Sequence, residues 1–132
     1  RAQLEACRAA ADAVAEQLEA WRFKAALGDL MNLARLGNGY FDATAPFRTR
    51  KTDMAACGRA VNVCLQTVRT LTTIMAPFLP FAAEMCRNML GLTADDMLWE
   101  HAAREVPEGS ALADAQLLFK KLDPAEVLQE GA

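Results

Sequence analysis

The chain has 132 residues, 53% of them hydrophobic and 23% charged, with a net charge of −3. That is one domain's length with enough apolar mass for a core, which excludes a disordered tail and a uniformly basic nucleic-acid binder. The longest uncharged run, 14 residues between Arg69 and Glu84, is broken by Pro77 and Pro80, and a membrane-spanning helix needs about 20 apolar residues.

Alanine and leucine supply 44 residues against 7 for valine and isoleucine, a ratio that favours helix over strand. The chain opens with Arg1 and an amphipathic stretch rather than a signal peptide. Without an initiator methionine it reads as a piece of a longer, cytoplasmic protein. In the first segment Leu4, Cys7, Ala11, Val14, Leu18 and Trp21 recur at three-four spacing, which predicts one helix face. Phe23, Leu27, Leu30, Met31, Ala34, Asn38 and Phe41 predict a second helix. It must stop before Pro46, because the residue preceding proline disfavours the helical region. Thr52 or Asp53 can then N-cap a third helix, with Met54, Cys57, Val61, Cys64, Leu65, Val68, Leu71, Thr72 and Met75 on its face. Pro80 suits the first turn of a fourth helix over about 81–90, closed by Gly91.

From Leu92 the periodicity fades. Asp95, Asp96, Trp99, Pro107, Gly109 and Ser110 predict an irregular excursion, Leu117, Leu118 and Phe119 a short apolar knot, and Asp123 with Pro124 a last helical turn. The fold class is therefore all-α. A helix bundle spans residues 1–91, and an irregular C-terminal extension spans 92–132.

Chemistry-bearing arrangements are sparse. Cys7, Cys57, Cys64 and Cys86 form no CxxC pair, and His101 is the only histidine, so the cysteines read as reduced core residues and no metal site is expected. No Gly-rich phosphate loop or serine elbow occurs, and the adjacent Asp95 and Asp96 point apart, so this stretch is expected to catalyse nothing by itself. Charge is uneven, however. Residues 35–69 carry six basic groups (Arg35, Arg48, Arg50, Lys51, Arg59, Arg69) against Asp42 and Asp53, a local +4 in an acidic chain. Within that stretch Pro46 and Phe47 are followed by Arg48, Arg50 and Lys51. An aromatic face beside cations is equipment for stacking an unpaired base and holding its phosphates. The same residues also fit a core plug at the bundle end with a solvated basic loop beside it.

The run Asn38-Gly39-Tyr40, then Pro46-Phe47 and Lys51, after an Ala/Leu-rich helix, resembles the anticodon-binding domain of methionyl-tRNA synthetase. Ala76-Pro77-Phe78-Leu79-Pro80-Phe81 with Glu84 is similar to the proline-broken junction of class I synthetases. Trp99, Gly109 and Leu118-Phe119-Lys120-Lys121-Leu122-Asp123 resemble the closing segment of the methionine enzyme. The resemblance implies that Phe47, standing where the family usually has tryptophan, stacks on an anticodon base. Pro46 fixes its approach, and Arg48, Arg50 and Lys51 meet the loop backbone. Asn38 and Tyr40 are implied to support the site structurally, Asn38 by burying its amide among partners near the loop. The resemblance further implies tRNA as partner, with no DNA and no membrane. It implies a separate catalytic domain that attaches methionine with ATP, zinc in that domain being open. The family's first bundle helix, which also reads anticodon bases, has no counterpart in residues 1–22, and the extension is implied to pack back toward the catalytic domain. The equivalent domain of the cysteine or valine enzyme, and a helical docking module that never meets RNA, remain as alternatives.

Overall fold

In a computed structural model that describes residues 1–125 and 127, five helices are joined by short turns. Helix α1 spans Ala2–Glu19, α2 Phe23–Thr44, α3 Pro46–Thr49, α4 Met54–Ile74 and α5 Pro80–Leu90. Two single 3-10 turns follow, at Asp95–Met97 and Trp99–His101. Helices α1 and α2 form an antiparallel hairpin, and α4 runs back along both.

The predicted helix boundaries have visible causes. The Asp53 side chain accepts the Ala56 amide at 2.9 Å and opens α4, Pro80 occupies the first turn of α5, and Gly91 closes α5 with φ +65°. The short α3 replaces what the sequence suggested was plain loop; proline at its first position presets the helical φ and forgoes an amide that would lack a partner.

The core gathers Cys7, Ala11 and Val14 of α1, Ala26, Leu30 and Leu33 of α2, Ile74 and Met75 at the end of α4, and Ala82, Ala83 and Cys86 of α5. This differs from the predicted stripes. Trp21 lies outside the core, as do Phe23, Leu27, Met31 and Phe41, and Met54, Val61 and Val68 of α4 are exposed. The face that α4 buries is largely polar: Gln66, Thr67, Arg69, Thr70, Thr72 and Thr73. These groups are tolerated because each finds partners. Thr67, Thr70 and Thr72 donate back to the carbonyls of Val63, Gln66 and Val68.

The segment after Gly91 packs on this bundle through α4 and α1. The Gln66 amide pairs with Val106 in both directions, accepting its N–H at 2.7 Å and donating to its carbonyl at 3.2 Å. Arg69, 1% exposed, donates to the Thr73 hydroxyl at 2.8 Å, to the Asp96 carbonyl and to the His101 carbonyl at 2.9 Å. The Trp99 indole donates to the Ala11 carbonyl at 3.2 Å. Ala102 and Val106 are buried as a result. Residue 91 thus separates helical from irregular chain, while packing is continuous across it. The predicted knot does not form: Leu118 packs on the core, whereas Leu117 and Phe119 are exposed. Asp123 accepts the Ala125 amide at 2.9 Å, and the rest of that last turn, with the end of the predicted 92–132 extension, falls partly on residues 126 and 128–132, outside the described residues.

Candidate nucleic-acid interface

The turn between α2 and α4 is built around one left-handed residue. Ala45, at φ 42° and ψ 57°, ends α2 by donating to the Phe41 carbonyl at 2.9 Å. Its own carbonyl then accepts Arg48 and Thr49, which starts α3. Pro46 is buried, and the half-buried Cys57 thiol of α4 donates to its carbonyl at 3.4 Å. The short helix is therefore anchored from beneath, and its next residue projects outward.

That residue is Phe47, 51% exposed. Its ring lies 5.9 Å from the Phe41 ring at an interplanar angle of 39°, and the Arg48 guanidinium carbon sits 5.7 Å from its centroid. Half its surface is open, which does not suit a plug closing the core. Arg48, Arg50 and Lys51 are all exposed, and none forms an ion pair among the described residues. The structure brings Pro46, Phe47 and Arg48 into one unit with Arg50 and Lys51 on the following turn. Neither the pairing of Phe41 with the Phe47 ring nor Cys57 as the anchor of Pro46 follows from the sequence pattern, in which Phe41 falls on the core stripe of α2 and Cys57 on the interior face of α4.

The expected support residues are placed differently. Asn38 is exposed at the rim of a groove of about 240 Å³ between α2 and α4, whose floor includes Gly37, Cys64 and Leu71. Its amide has no hydrogen bond among the described residues, because this turn of α2 faces the groove rather than the core. Gly37 sets the helix spacing, since a Cβ there would meet Thr67 Cγ2 at 3.1 Å. Tyr40 is half-buried and contributes its carbonyl, which accepts the Thr44 hydroxyl at 2.8 Å. Arg69, counted with the basic stretch, is buried and directed at the C-terminal segment, so it leaves the interface.

The remaining polar groups form a separate cluster beneath the excursion. Hydrogen bonds from the Thr93 amide and hydroxyl hold the Asp96 carboxyl below its usual range. Arg104 bridges Asp95 at 3.0 Å and Asp96 at 3.3 Å. Burial lowers the Arg69 pKa, while the Asp96 charge acts in the opposite direction. Burial raises the thiols of Cys64 and Cys86. Among the described residues no group of three or more His, Cys, Asp or Glu side chains could hold a metal ion, and no helix is long and apolar enough to cross a membrane.

A family profile for the anticodon binding domain of methionyl tRNA ligase matches residues 2–130. The methionine–tRNA ligase of Pyrococcus horikoshii is 38% identical over 128 residues, covering 97% of this chain and 17% of that protein. The ligase of Bacteroides fragilis is 38% identical over 116 residues, covering 86% and 17%. The chain thus spans about a sixth of the length of these relatives. A crystal structure of free-state Mycobacterium tuberculosis methionyl-tRNA synthetase shares the fold, with a TM-score of 0.78 and 22% identity over 94% of this chain and 27% of that one. An all-α bundle with an aromatic ledge between its second and fourth helices, matched by the profile over almost its full length, belongs to the family of methionyl-tRNA ligase anticodon-binding domains.

Proposed function

We propose that this chain reads the anticodon loop of a methionine tRNA on behalf of a larger cytoplasmic ligase. The observation that carries the reading is Phe47, half exposed on a buried proline and flanked by Arg48. A flat apolar face at that height accepts an unstacked base, typically worth about 1–3 kcal/mol. Arg48, Arg50 and Lys51 meet the backbone on either side of that base, with salt-dependent affinity. Phenylalanine offers a π-face but no ring N–H, so Phe47 contributes stacking and leaves hydrogen-bond discrimination to other groups.

On this reading ATP, methionine and any zinc are assigned to the catalytic domain of the parent. Coupling between the two is required by geometry: the amino acid is attached far from the anticodon, and loop bases are the readable part of the RNA. The groove between α2 and α4, rimmed by Asn38 and Phe41 with Val68 opposite, is apolar enough to take a further helix of the longer protein. Such a helix would bring additional base-reading groups beside Phe47.

An amide-resolved titration with two stem-loops, one bearing the methionine anticodon and one a scrambled anticodon, tests the reading. Shifts centred on Phe47, Arg48 and Arg50, larger for the cognate loop, are expected. Phe47→Ala should weaken binding by one stacked base, about 1–3 kcal/mol. No shifts at low salt would reject the anticodon reading and favour the docking module.

A further inference from the structure

Consecutive residues on a helix point about 100° apart, so neighbouring side chains do not ordinarily face each other. Phe47 and Arg48 adjoin on α3, yet the Arg48 guanidinium carbon lies over the Phe47 ring, 5.7 Å from its centroid. Among the described residues Arg48 forms no ion pair, and the acid nearest in sequence, Asp53, directs its carboxylate at the Ala56 amide. The two members of the pair are held differently. Phe47 has a fixed footing: Pro46 is buried, the Cys57 thiol donates to its carbonyl at 3.4 Å, and the Phe41 ring lies 5.9 Å from the Phe47 ring. Arg48 is anchored through its main chain, its amide donating to the Ala45 carbonyl at 2.8 Å and its carbonyl accepting the Lys51 amide at 3.1 Å. Its side chain is exposed, on a long stem with many rotamers.

The spacing sets what can enter. Atoms in contact lie about 3.5–4 Å apart, and a base held between two planes needs about 7 Å, twice the stacking rise of about 3.4 Å. At 5.7 Å the guanidinium is not packed down on the ring, and lifting it by about 1 Å admits a base. Rotations in the arginine stem supply that movement with no change in α3. An exposed cation–π contact is weak, and two stacking contacts replace it, since unpaired bases stack on aromatic rings and on guanidinium planes alike. The N–H fork at the guanidinium edge stays free to meet a phosphate. We infer, on the reading of this chain as an anticodon binder, that Arg48 closes over the base stacked on Phe47. One nucleotide is then gripped between ring and guanidinium. Arg48 acts through its plane as well as its charge, whereas Lys51 acts through charge alone.

Binding of the full-length protein to four stem-loops tests it: the intact methionine anticodon loop, and three loops made abasic at one anticodon position each. Arg48→Lys keeps the charge and removes the plane. It is expected to weaken binding of the intact loop about tenfold, the scale of one stacking contact, with the salt dependence unchanged. One of the abasic loops should erase that deficit, and the same loop should erase the deficit of Phe47→Ala. Both side chains are exposed, and equal thermal midpoints check that the variants fold as the parent does. Any other pattern overturns the inference: a deficit shared by all four loops, one erased at a different position from that of Phe47→Ala, or no deficit. Those results leave the anticodon reading standing. A parent protein that does not bind the intact loop would sink that reading and the grip with it.

Discussion

Replacing Arg69 with methionine removes one guanidinium and leaves most of the side chain's volume in place. Three acceptors lose a donor: the Thr73 hydroxyl and the carbonyls of Asp96 and His101. The hydroxyl can turn to another partner, but the carbonyls are fixed by the chain around them. An acceptor stranded away from water costs about 1–3 kcal/mol, so the pair costs about 2–6 kcal/mol. Part of this is offset because a charge no longer has to be buried, the same desolvation that lowers the Arg69 pKa. The net expectation is a loss of about 3 kcal/mol, with Arg69→Lys losing roughly half as its single ammonium reaches fewer acceptors. Urea unfolding at neutral pH measures this as a midpoint drop of about 1–3 M, given typical m-values of about 1–3 kcal/mol/M. Amide exchange should rise first between residues 92 and 107. A methionine variant as stable as the parent, or more so, would refute the reasoning and show that burying the charge outweighs its hydrogen bonds.

Asp53→Ala should cost about 1 kcal/mol in thermal unfolding, since the Ala56 amide loses its cap; an unchanged midpoint would mean water replaces the cap without loss. Gly91→Ala puts a Cβ at φ +65° and 3.3 Å from the Ala111 carbonyl oxygen, with an expected cost of about 1–2 kcal/mol. Calorimetry of the variant checks it. The Asp96 carboxyl is held below its ordinary range by the Thr93 amide and hydroxyl, with Arg69 and Arg104 adding to the effect. Its folded pKa is therefore lower than its unfolded pKa, so its stabilisation is complete above about pH 4 and lost as pH falls through the folded value. Asp96→Asn should be less stable than the parent at pH 6, and the difference should narrow as pH falls below the ordinary carboxylate range.

Helix positions were legible from local chemistry. Proline, Asp53 and Gly91 act within a turn of themselves, and three-four spacing marks a helix wherever it packs. Which face is buried was less legible. The apolar stripe of α4 runs through Val61 and Val68, yet α4 is enclosed on its other side, where Gln66, Arg69 and Thr73 lie at helical spacing. Gln66 and Arg69 are held by carbonyls 27 to 40 residues away, and periodicity carries no information about such partners. A run of polar residues at that spacing opposite an apolar stripe was the available signal. At the interface, Pro46 and Phe47 were readable because proline constrains its neighbours locally. The pairing of Phe41 with Phe47 required the path of the turn, and Asn38 depended on whether a neighbouring helix covers the groove.

The grip between the bundle and its C-terminal segment has an unusual division of labour. Gln66, Arg69 and Trp99 supply side chains, while the groups they hold at Val106, Asp96, His101 and Ala11 are main-chain atoms. Main-chain atoms are common to every residue type, so the hydrogen bonds at positions 101 and 106 do not depend on residue identity, although the buried Val106 side chain still has to fit. Proline at 106 is the exception, having no amide to offer Gln66. Mutational drift is therefore cheaper at positions that offer only main-chain atoms than at Gln66, Arg69 and Trp99, whose side chains make the contact. The excursion can acquire new surface while Gln66, Arg69 and Trp99 stay fixed.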